Sequence, residues 1–192
     1  MLTFPNVIER IGRNIKTIDI PTKLLDDRII YLCGEIDEDS ANIAIMQLLW
    51  LAYNSKDNEE INFYINSPGG DCTQGYAILD IIQHIDCKVN TIGVGECSSI
   101  AALLLASGTG SRRALKNCRV MIHSVQAMFH GAYKDIEIEF NESSHFQNIY
   151  AEYLSKFSKG KTSLEEMHKL IERNNYMTPE TAIKIGLIDD II

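Results

Sequence analysis

Two corners of the sequence place small residues where an apolar strand meets a helix. The first is Asn66-Ser67-Pro68-Gly69-Gly70, whose paired glycines let backbone N–H groups approach a ligand oxygen without a Cβ in the way. The second is Gly95-Glu96-Cys97-Ser98-Ser99-Ile100, which brings a serine hydroxyl to the positive end of a helix dipole. Taken singly, the first corner is typical of a turn and the second of a serine N-cap.

A serine nucleophile needs a base, and the chain offers five histidines. Only His123 ends an apolar strand-like run, CRVMIH, while the others (His84, His130, His145 and His168) occupy polar stretches or the outward sides of helices. Cys97 is an alternative nucleophile, although a free cysteine between small residues is usually buried and inert. A histidine at a strand end is often structural. The combination of two glycine and serine corners with His123 favours nucleophilic hydrolysis.

The elements that must position these groups alternate between strand and helix from residue 27 onward, which predicts one α/β domain. Strands are predicted at 27–33, 61–67, 88–94 and 118–123. Asp39 or Ser40 is expected to cap the first helix, which should turn one apolar set toward the core: Ile43, Met46, Leu48, Leu49 and Ala52. Asp71 is expected to cap the next helix, whose apolar residues are Tyr76, Ala77, Ile78, Ile81 and Ile82.

The C-terminal third carries an aromatic stripe at helical spacing, made of Phe146, Ile149, Tyr150, Tyr153, Leu154 and Phe157. Such a stripe either packs on the chain's own sheet or faces another subunit. Ser163 with Glu166 forms a capping box for the next helix. The last helix is predicted between Thr178, as N-cap before Pro179, and Gly186.

Composition narrows the classes of function. The 192 residues, 45% hydrophobic and 23% charged, fit a single domain over 1–192. A formal net charge of -8 without a basic stripe argues against a nucleic-acid partner. Five scattered cysteines without a CxxC pair indicate neither a disulfide framework nor a zinc site, so a reducing, cytoplasmic setting is expected. No apolar run is long enough for a membrane helix, no export signal is apparent, and neither a Walker motif nor another cofactor motif is present.

The sequence resembles the proteolytic subunit of the Clp protease, ClpP, over nearly its whole length. The shared motifs occur in the family's order: FPNVIER, LLDDRIIYL, YINSPGG, SSIAALLLASG, NCRVMIH, DIEI at 135–138 and YMTPETAIKIGLIDDII. The resemblance implies a ClpP/crotonase-like α/β fold of stacked β-β-α units. It further implies that residues 1–20 form an N-terminal axial segment and residues 134–158 a projecting handle of strand and helix.

The resemblance also implies roles for individual residues. Ser99 is the nucleophile, His123 the general base, and the backbone N–H groups of Gly70 and Ile100 the oxyanion hole. Where the family has Asp in an R-D-R-[FY] stretch, this chain has Asn174, which becomes the third member of the triad. An amide oxygen can accept a hydrogen bond from the histidine but cannot stabilise an imidazolium by charge, so weak or conditional activity is predicted.

Other departures concern assembly and substrate. Asn175 replaces an arginine that helps to join two rings in ClpP, so this chain alone is expected to form a single ring or an inactive double ring. Bulkier residues at 124–129 replace the family's Gln-Pro and glycine pair beside the bound peptide. The stretch 14–17 and Asn62 differ from the family's regions that contact the unfoldase, which puts affinity for such a partner in doubt.

The sequence thus predicts a serine endopeptidase subunit of a heptameric ring, either single or stacked into a tetradecamer. It would cleave peptides and unfolded polypeptides fed by an AAA+ unfoldase, together with a second ClpP paralogue and without metal or cofactor. The main rival is a regulatory or structural ring subunit that pairs with a catalytic paralogue. A third hypothesis, a crotonase-like acyl-thioester enzyme, predicts acyl-CoA binding that is independent of Ser99.

Overall fold

The N-terminal region forms a hairpin and a short helix before the main sheet begins. The computed structural model describes residues 5–11 and 14–192. Strands β1 (Asn6–Ile11) and β2 (Asn14–Asp19) pair antiparallel, and helix α1 (Ile20–Asp26) follows. The predicted axial segment 1–20 therefore includes a hairpin, with residues 1–4, 12 and 13 outside the described part. Helix α1 was not predicted, and the strand expected at 27–33 begins only at Ile29.

The remaining chain builds a mixed α/β layer structure, which confirms the predicted fold class. Its elements are β3 (Ile29–Cys33), α2 (Glu38–Tyr53), β4 (Ile61–Ser67), α3 (Cys72–His84), β5 (Val89–Ser98), α4 (Ile100–Ala106), β6 (Arg112–Ala114), β7 (Arg119–Ile122), α5 (Tyr133–Phe157), α6 (Leu164–Leu170), β8 (Asn175–Met177), α7 (Pro179–Ile185) and β9 (Asp190–Ile191). The described sheet has seven strands, and only β8 runs antiparallel to its neighbour.

Strand β5 is longer than predicted and divides the sheet into two branches. Its first half, Thr91–Gly93, pairs with β6, whereas its last residues, Glu96–Ser98, pair with β7. Strand β7 then pairs with β8 on its other side. Because the end of β5 leaves β6 and pairs with β7, the residues of the serine corner lie beside the end of β7. The strand predicted at 118–123 is observed at 119–122, close to its predicted position.

Helix α2 departs from the prediction in both its cap and its buried face. Asp37, not Asp39 or Ser40, is the N-cap; its carboxylate accepts the Ser40 N–H at 2.8 Å, and the Ser40 hydroxyl accepts the Asp37 N–H. The buried face consists of Ala41, Ala44, Leu48 and Leu51, whereas three residues expected in the core, Ile43, Met46 and Leu49, are 42–61% exposed. The helix is apolar on both sides, and its small alanines allow the closer approach to the sheet.

The other predicted helix boundaries are confirmed. Asp71 caps α3 by accepting the Gln74 N–H at 2.9 Å, and Ser163 with Glu166 forms the capping box of α6. Helix α7 begins after Thr178 and ends at Gly186, which has the left-handed conformation that favours glycine. The segment predicted as handle strand and helix at 134–158 is one helix, α5, in which no strand is present.

The aromatic stripe of α5 packs on helix α3 and the core of the same chain. This part of the helix therefore follows the first alternative, packing within the chain, and not the second, contact with another subunit. Tyr150 and Leu154 are buried; Phe146 stacks on Tyr76 of α3 with ring centroids 5.8 Å apart, and the tilted ring of Tyr153 lies 6.2 Å from the same tyrosine. The N-terminal half of α5 is different, because Ile138 and Phe140 are exposed. The C-terminal half of α5 is therefore anchored directly behind the strand ends.

An ion pair between a buried arginine and a partly exposed aspartate ties the last strand to the sheet. The side chain of Arg112 in β6 is 2% exposed, and its Nε donates to Asp189 Oδ2 at 3.0 Å. Lys159 adds an exposed contact to the same carboxylate at 3.0 Å. The guanidinium of Arg112 and, to a lesser degree, Lys159 hold the pKa of Asp189 well below its ordinary value. Asp189 is therefore ionised throughout the physiological range.

Replacing Asp189 by Asn is expected to lower the free energy of unfolding by about 3 kcal/mol at pH 7, because it leaves a buried guanidinium without its counter-charge. A carboxyl whose pKa is depressed by folding stabilises the protein above its unfolded pKa and loses that contribution as the pH falls. The difference should thus shrink below about pH 4. Urea denaturation measures it, with Lys159→Gln as the exposed control, expected to cost less than about 1 kcal/mol. Equal effects of the two variants would contradict the prediction.

Candidate active site

The glycine corner lies between β4 and α3, and it is held in an unusual backbone conformation. Gly69 and Gly70 have φ values of 98° and 154°, in the region that favours glycine. A Cβ on Gly69 would lie 2.7 Å from the Cβ of Ser99, so only glycine allows this approach. The Gly69 N–H donates to the Ser67 hydroxyl at 3.1 Å. The Gly70 N–H, by contrast, donates to no protein acceptor among the described residues, so it is available to a ligand.

The serine corner lies between β5 and α4, and Ser99 itself is the strained residue. Its φ and ψ are 58° and -129°, values that cost a non-glycine residue free energy and that recur at functional sites. The Ser99 N–H donates to the Met121 carbonyl at 2.8 Å, and the Ser99 carbonyl accepts the Ala102 N–H at 3.0 Å. The Ser99 side chain does not cap α4, contrary to the simpler N-cap interpretation. Its hydroxyl is therefore free for another partner.

That partner is His123. The pairing of β5 with β7 sets Ser98 opposite Met121, and His123 follows two residues later. Its Nε2 lies 2.8 Å from the Ser99 Oγ, which is hydrogen-bonding distance for a nucleophile and its base. The structure thus brings together the two residues that the sequence singled out. None of the other four histidines is among the residues that line this cleft.

Ile100 begins helix α4, so its N–H has no acceptor within that helix. The side chain of Ile100 packs against α3 at Gly75, where an added Cβ would lie 2.1 Å from the Ile100 Cγ1. Gly75 therefore lets the two helices approach, and both glycine and serine corners border one cleft. This is the arrangement expected if Gly70 and Ile100 donate to one developing negative charge.

The other ring nitrogen of His123 has no partner. The Nδ1 atom is buried and makes no hydrogen bond within the described chain. Asn174, the predicted third member of the triad, lines the same cleft. Its amide is close enough to favour the protonated form of His123 and so to act upward on its pKa, but it does not form a hydrogen bond of standard geometry with Nδ1. The structure therefore brings Asn174 near His123 but does not complete a Ser-His-Asn chain of hydrogen bonds.

Burial lowers the pKa of His123 below the ordinary histidine value of 6.5, and the Asn174 side chain opposes this shift only in part. A neutral imidazole is the form that can accept the serine proton. The lowered pKa thus keeps the His123 ring neutral, and able to accept a proton, at neutral pH. Among the described residues, burial and the Asn174 amide are what shift the pKa of His123, and no neighbouring carboxylate contributes a charge that would favour the protonated ring.

Cys97 is not a nucleophile in this arrangement. Its side chain is buried, and its Sγ lies 4.0 Å from that of Cys118. The hydrogen bond with Cys118 and burial both raise the pKa of Cys97, so it stays a neutral thiol. The structure thus favours the inert interpretation of this residue.

The cleft around Ser99 and His123 has a volume of about 480 Å³. Glu35 and Glu96 lie at its border, and Met121, Val125 and Tyr150 supply apolar surface. Tyr150 was expected only as part of the α5 stripe, but its hydroxyl donates to the Ser99 carbonyl at 3.0 Å. No sequence motif signals this contact, because it joins residues 51 positions apart through the packing of α5 on α4.

The mostly parallel sheet brings the Ser99 hydroxyl and the His123 ring together at the ends of its strands. This is the arrangement of a serine hydrolase. A family model described as Clp protease matches residues 12–192 of the chain. The match spans most of the sequence, so the chain belongs to the Clp protease family as a ClpP-family proteolytic subunit. The family implies a serine peptidase in general, and its members typically form rings with AAA+ partners.

Within residues 5–11 and 14–192, no helix combines the length and apolarity needed to cross a membrane.

Proposed function

We propose that this chain is a serine endopeptidase subunit that uses Ser99 and His123 inside a ring chamber and is weakly active by itself. The observation that carries the proposal is the 2.8 Å contact between Ser99 Oγ and His123 Nε2, together with an Nδ1 atom that has no hydrogen-bond partner among the described residues. The first half of that observation supports peptidase chemistry. The second half supports the low activity.

In the proposed reaction, His123 Nε2 accepts the hydroxyl proton while Ser99 Oγ attacks the peptide carbonyl carbon. The negative charge that develops on the carbonyl oxygen is stabilised by the N–H groups of Gly70 and Ile100. The protonated ring then gives its proton to the leaving amine, and an acyl-enzyme remains on Ser99. Water, activated by His123, releases the acyl group by the reverse sequence of steps.

The weak point of this sequence is the imidazolium. In other serine proteases a carboxylate accepts the Nδ1–H, fixes the tautomer and stabilises the positive ring. Here Asn174 offers no charge and does not reach Nδ1 with hydrogen-bond geometry. In the proposed mechanism, contacts with another subunit move Asn174 into hydrogen-bonding geometry with Nδ1. Activity is then conditional on assembly with that subunit.

We further propose that the chain works in a heptameric ring with a second, catalytic ClpP paralogue and an AAA+ unfoldase. The lost charges at Asn174 and Asn175 support the idea that stacking of two identical rings is weak. Asn175 uses its amide within the chain, donating to the Leu170 carbonyl at 3.1 Å. The five free cysteines agree with the proposed cytoplasmic setting.

A regulatory or structural ring subunit is the second candidate, favoured by the incomplete hydrogen bonding of His123. A crotonase-like acyl-thioester enzyme is less well supported, because that chemistry would leave the Ser99–His123 contact without a use. Labelling with a serine-reactive fluorophosphonate separates these functions. Labelling of Ser99 alone or in a mixed ring supports the peptidase; absence of labelling in both supports the regulatory role.

Native mass measurement, with and without co-purifying subunits, tests the proposed assembly. The expected result is a single ring or an inactive double ring for the chain alone and gain of activity on mixing. A stable and fully active homo-tetradecamer would refute the requirement for a paralogue while leaving the peptidase function intact.

The pH dependence follows from the lowered pKa of His123. Because the base must be neutral, kcat/KM should rise with pH through an apparent pKa below 6.5 and then stay level through neutrality. Hydrolysis of a fluorogenic peptide across pH 4.5–8 measures this, with unfolding followed at each pH as the control. An acid limb centred above pH 7 would contradict the assignment of His123 as a desolvated base.

A further inference from the structure

Tyr150 occupies a position for which the proposed mechanism has no role yet. It lies in the C-terminal half of α5, is 3% exposed, and borders the cleft that holds Ser99. Its hydroxyl donates to the Ser99 carbonyl oxygen at 3.0 Å. A buried phenol normally forms a hydrogen bond, and here the acceptor is the backbone of the proposed nucleophile.

The Ser99 carbonyl belongs to the same peptide unit as the Ile100 N–H. A trans peptide is planar, so its C=O and N–H point in opposite directions and rotate together. Whatever fixes the direction of the Ser99 carbonyl therefore fixes the direction of the Ile100 N–H, which is the proposed oxyanion donor. A hydrogen bond to the carbonyl also polarises the peptide and strengthens its N–H as a donor.

The peptide unit needs such support because Ser99 is strained. With φ at 58° and ψ at -129°, this residue lies outside the ordinary regions, and its conformation persists only if the surroundings impose it. The Ala102 N–H reaches the same carbonyl at 3.0 Å, but α4 has only seven residues and that contact comes from its own first turn. Tyr150 supplies a restraint from a different element, since α5 packs against α4.

The surroundings of Tyr150 keep it in place as a donor. Burial raises the pKa of its phenol above the ordinary value, so the hydroxyl stays protonated over the working range. One turn earlier on α5, Phe146 stacks on Tyr76 of α3 with ring centroids 5.8 Å apart. Helix α5 thus links its aromatic stripe to the backbone of the nucleophile.

We propose that Tyr150 is a positioning residue for catalysis, whose hydroxyl orients the Ser99–Ile100 peptide so that the Ile100 N–H points into the oxyanion site. The inference rests on the proposed peptidase function and deepens it. It predicts an effect on transition-state stabilisation and none on the binding of the neutral ground state.

The test compares Tyr150→Phe with Tyr76→Phe in the full chain, in the assembly that shows activity. Both variants remove one phenolic hydroxyl; the Tyr76 hydroxyl donates to the Phe146 carbonyl at 3.2 Å and does not contact the nucleophile. Tyr150→Phe should lower kcat for a fluorogenic peptide about tenfold with KM unchanged, since one oriented hydrogen bond is worth about this factor. Tyr76→Phe should leave both constants within about twofold of wild type.

A second readout separates positioning from folding. A peptide boronate forms a tetrahedral adduct on Ser99 with an oxygen in the oxyanion site, so its affinity should fall in Tyr150→Phe by the same factor as kcat. Thermal unfolding should match that of Tyr76→Phe. Equal kcat in the two variants, or loss of kcat only in step with unfolding, would overturn the inference. Failure of the wild type to react with a fluorophosphonate would instead refute the peptidase function, and this inference with it.

Discussion

Replacing Asn174 by Asp is expected to raise kcat/KM for peptide hydrolysis by at least about 100-fold. The converse change in a serine protease costs about 10⁴ in kcat, part of which comes from a wrong tautomer of the histidine. Since Asn174 borders the cleft beside His123, the isosteric carboxylate would place a negative charge where the imidazolium forms. Both oxygens of a carboxylate are acceptors, so either orientation of the side chain would present one toward the buried Nδ1 atom, whereas the amide has a single acceptor oxygen.

The same substitution should move the pH profile in a defined direction. A carboxylate beside the ring favours the protonated imidazole, so the pKa of His123 should rise from its lowered value. The acid limb of kcat/KM should therefore shift to higher pH while the plateau rises. Peptide hydrolysis between pH 4.5 and 8 measures both changes in one experiment.

Asn174→Ala is the matched control for this gain. Because the Asn174 amide makes no hydrogen bond to Nδ1, its removal should change kcat/KM by less than about tenfold. A tenfold or larger loss in Asn174→Ala would show that the amide already serves the ring. Unchanged activity in Asn174→Asp, with folding intact, would contradict the idea that the missing carboxylate causes weak activity.

The local signals in the sequence were sufficient for much of the fold. Caps such as Asp71 and Ser163 depend on residues three positions away, so they can be predicted without tertiary information. The seven-residue alternation of β4 is likewise visible in the sequence and matches its buried and half-buried positions. Strands β6, β8 and β9 could not be predicted in this way, because a strand of two or three residues is too short to show an alternating pattern.

Helix α2 shows where the pattern was ambiguous. Both of its faces carry large apolar residues, so periodicity alone does not say which face meets the sheet. The side with Ala41 and Ala44 packs inward because small residues permit closer approach, and Met46 stays 61% exposed. An apolar face left outside a single chain is typical of subunit contact, but nothing in one sequence assigns it.

The site was predicted in part for a similar reason. Ser99 and His123 could be paired because each ends or follows a strand, and parallel strands deliver their ends to one edge of a sheet. The failure of Asn174 to form a hydrogen bond with Nδ1 depends on the relative placement of two side chains at the ends of separate strands, which no residue pattern contains. The contact of Tyr150 with the Ser99 carbonyl depends on how α5 lies on α4, which is a tertiary property.

Replacing Ser99 by Ala is expected to abolish fluorophosphonate labelling and to reduce peptide hydrolysis to background. Loss of the nucleophile in a serine protease costs about 10⁶ in kcat, far more than the residual rate of a weak enzyme can conceal. Active-site labelling followed by intact mass detects the adduct even when turnover is slow. Structure should be retained, because the one hydrogen bond of the Ser99 hydroxyl within the described residues is with the His123 ring, and the hydroxyl does not cap α4.

Ser98→Ala is the control that makes this prediction specific. The two hydroxyls are adjacent in sequence, but the Ser98 Oγ donates to Glu96 Oε1 at 2.7 Å and does not contact His123. Ser98→Ala should therefore keep its label, whereas Ser99→Ala should lose it. Labelling that persists in Ser99→Ala, whether it moves to Ser98 or to Cys97, would refute Ser99 as the nucleophile. Of these three residues, Ser99 is the one that combines a positive φ with the histidine contact, so such a result would also remove the reason for its conformation.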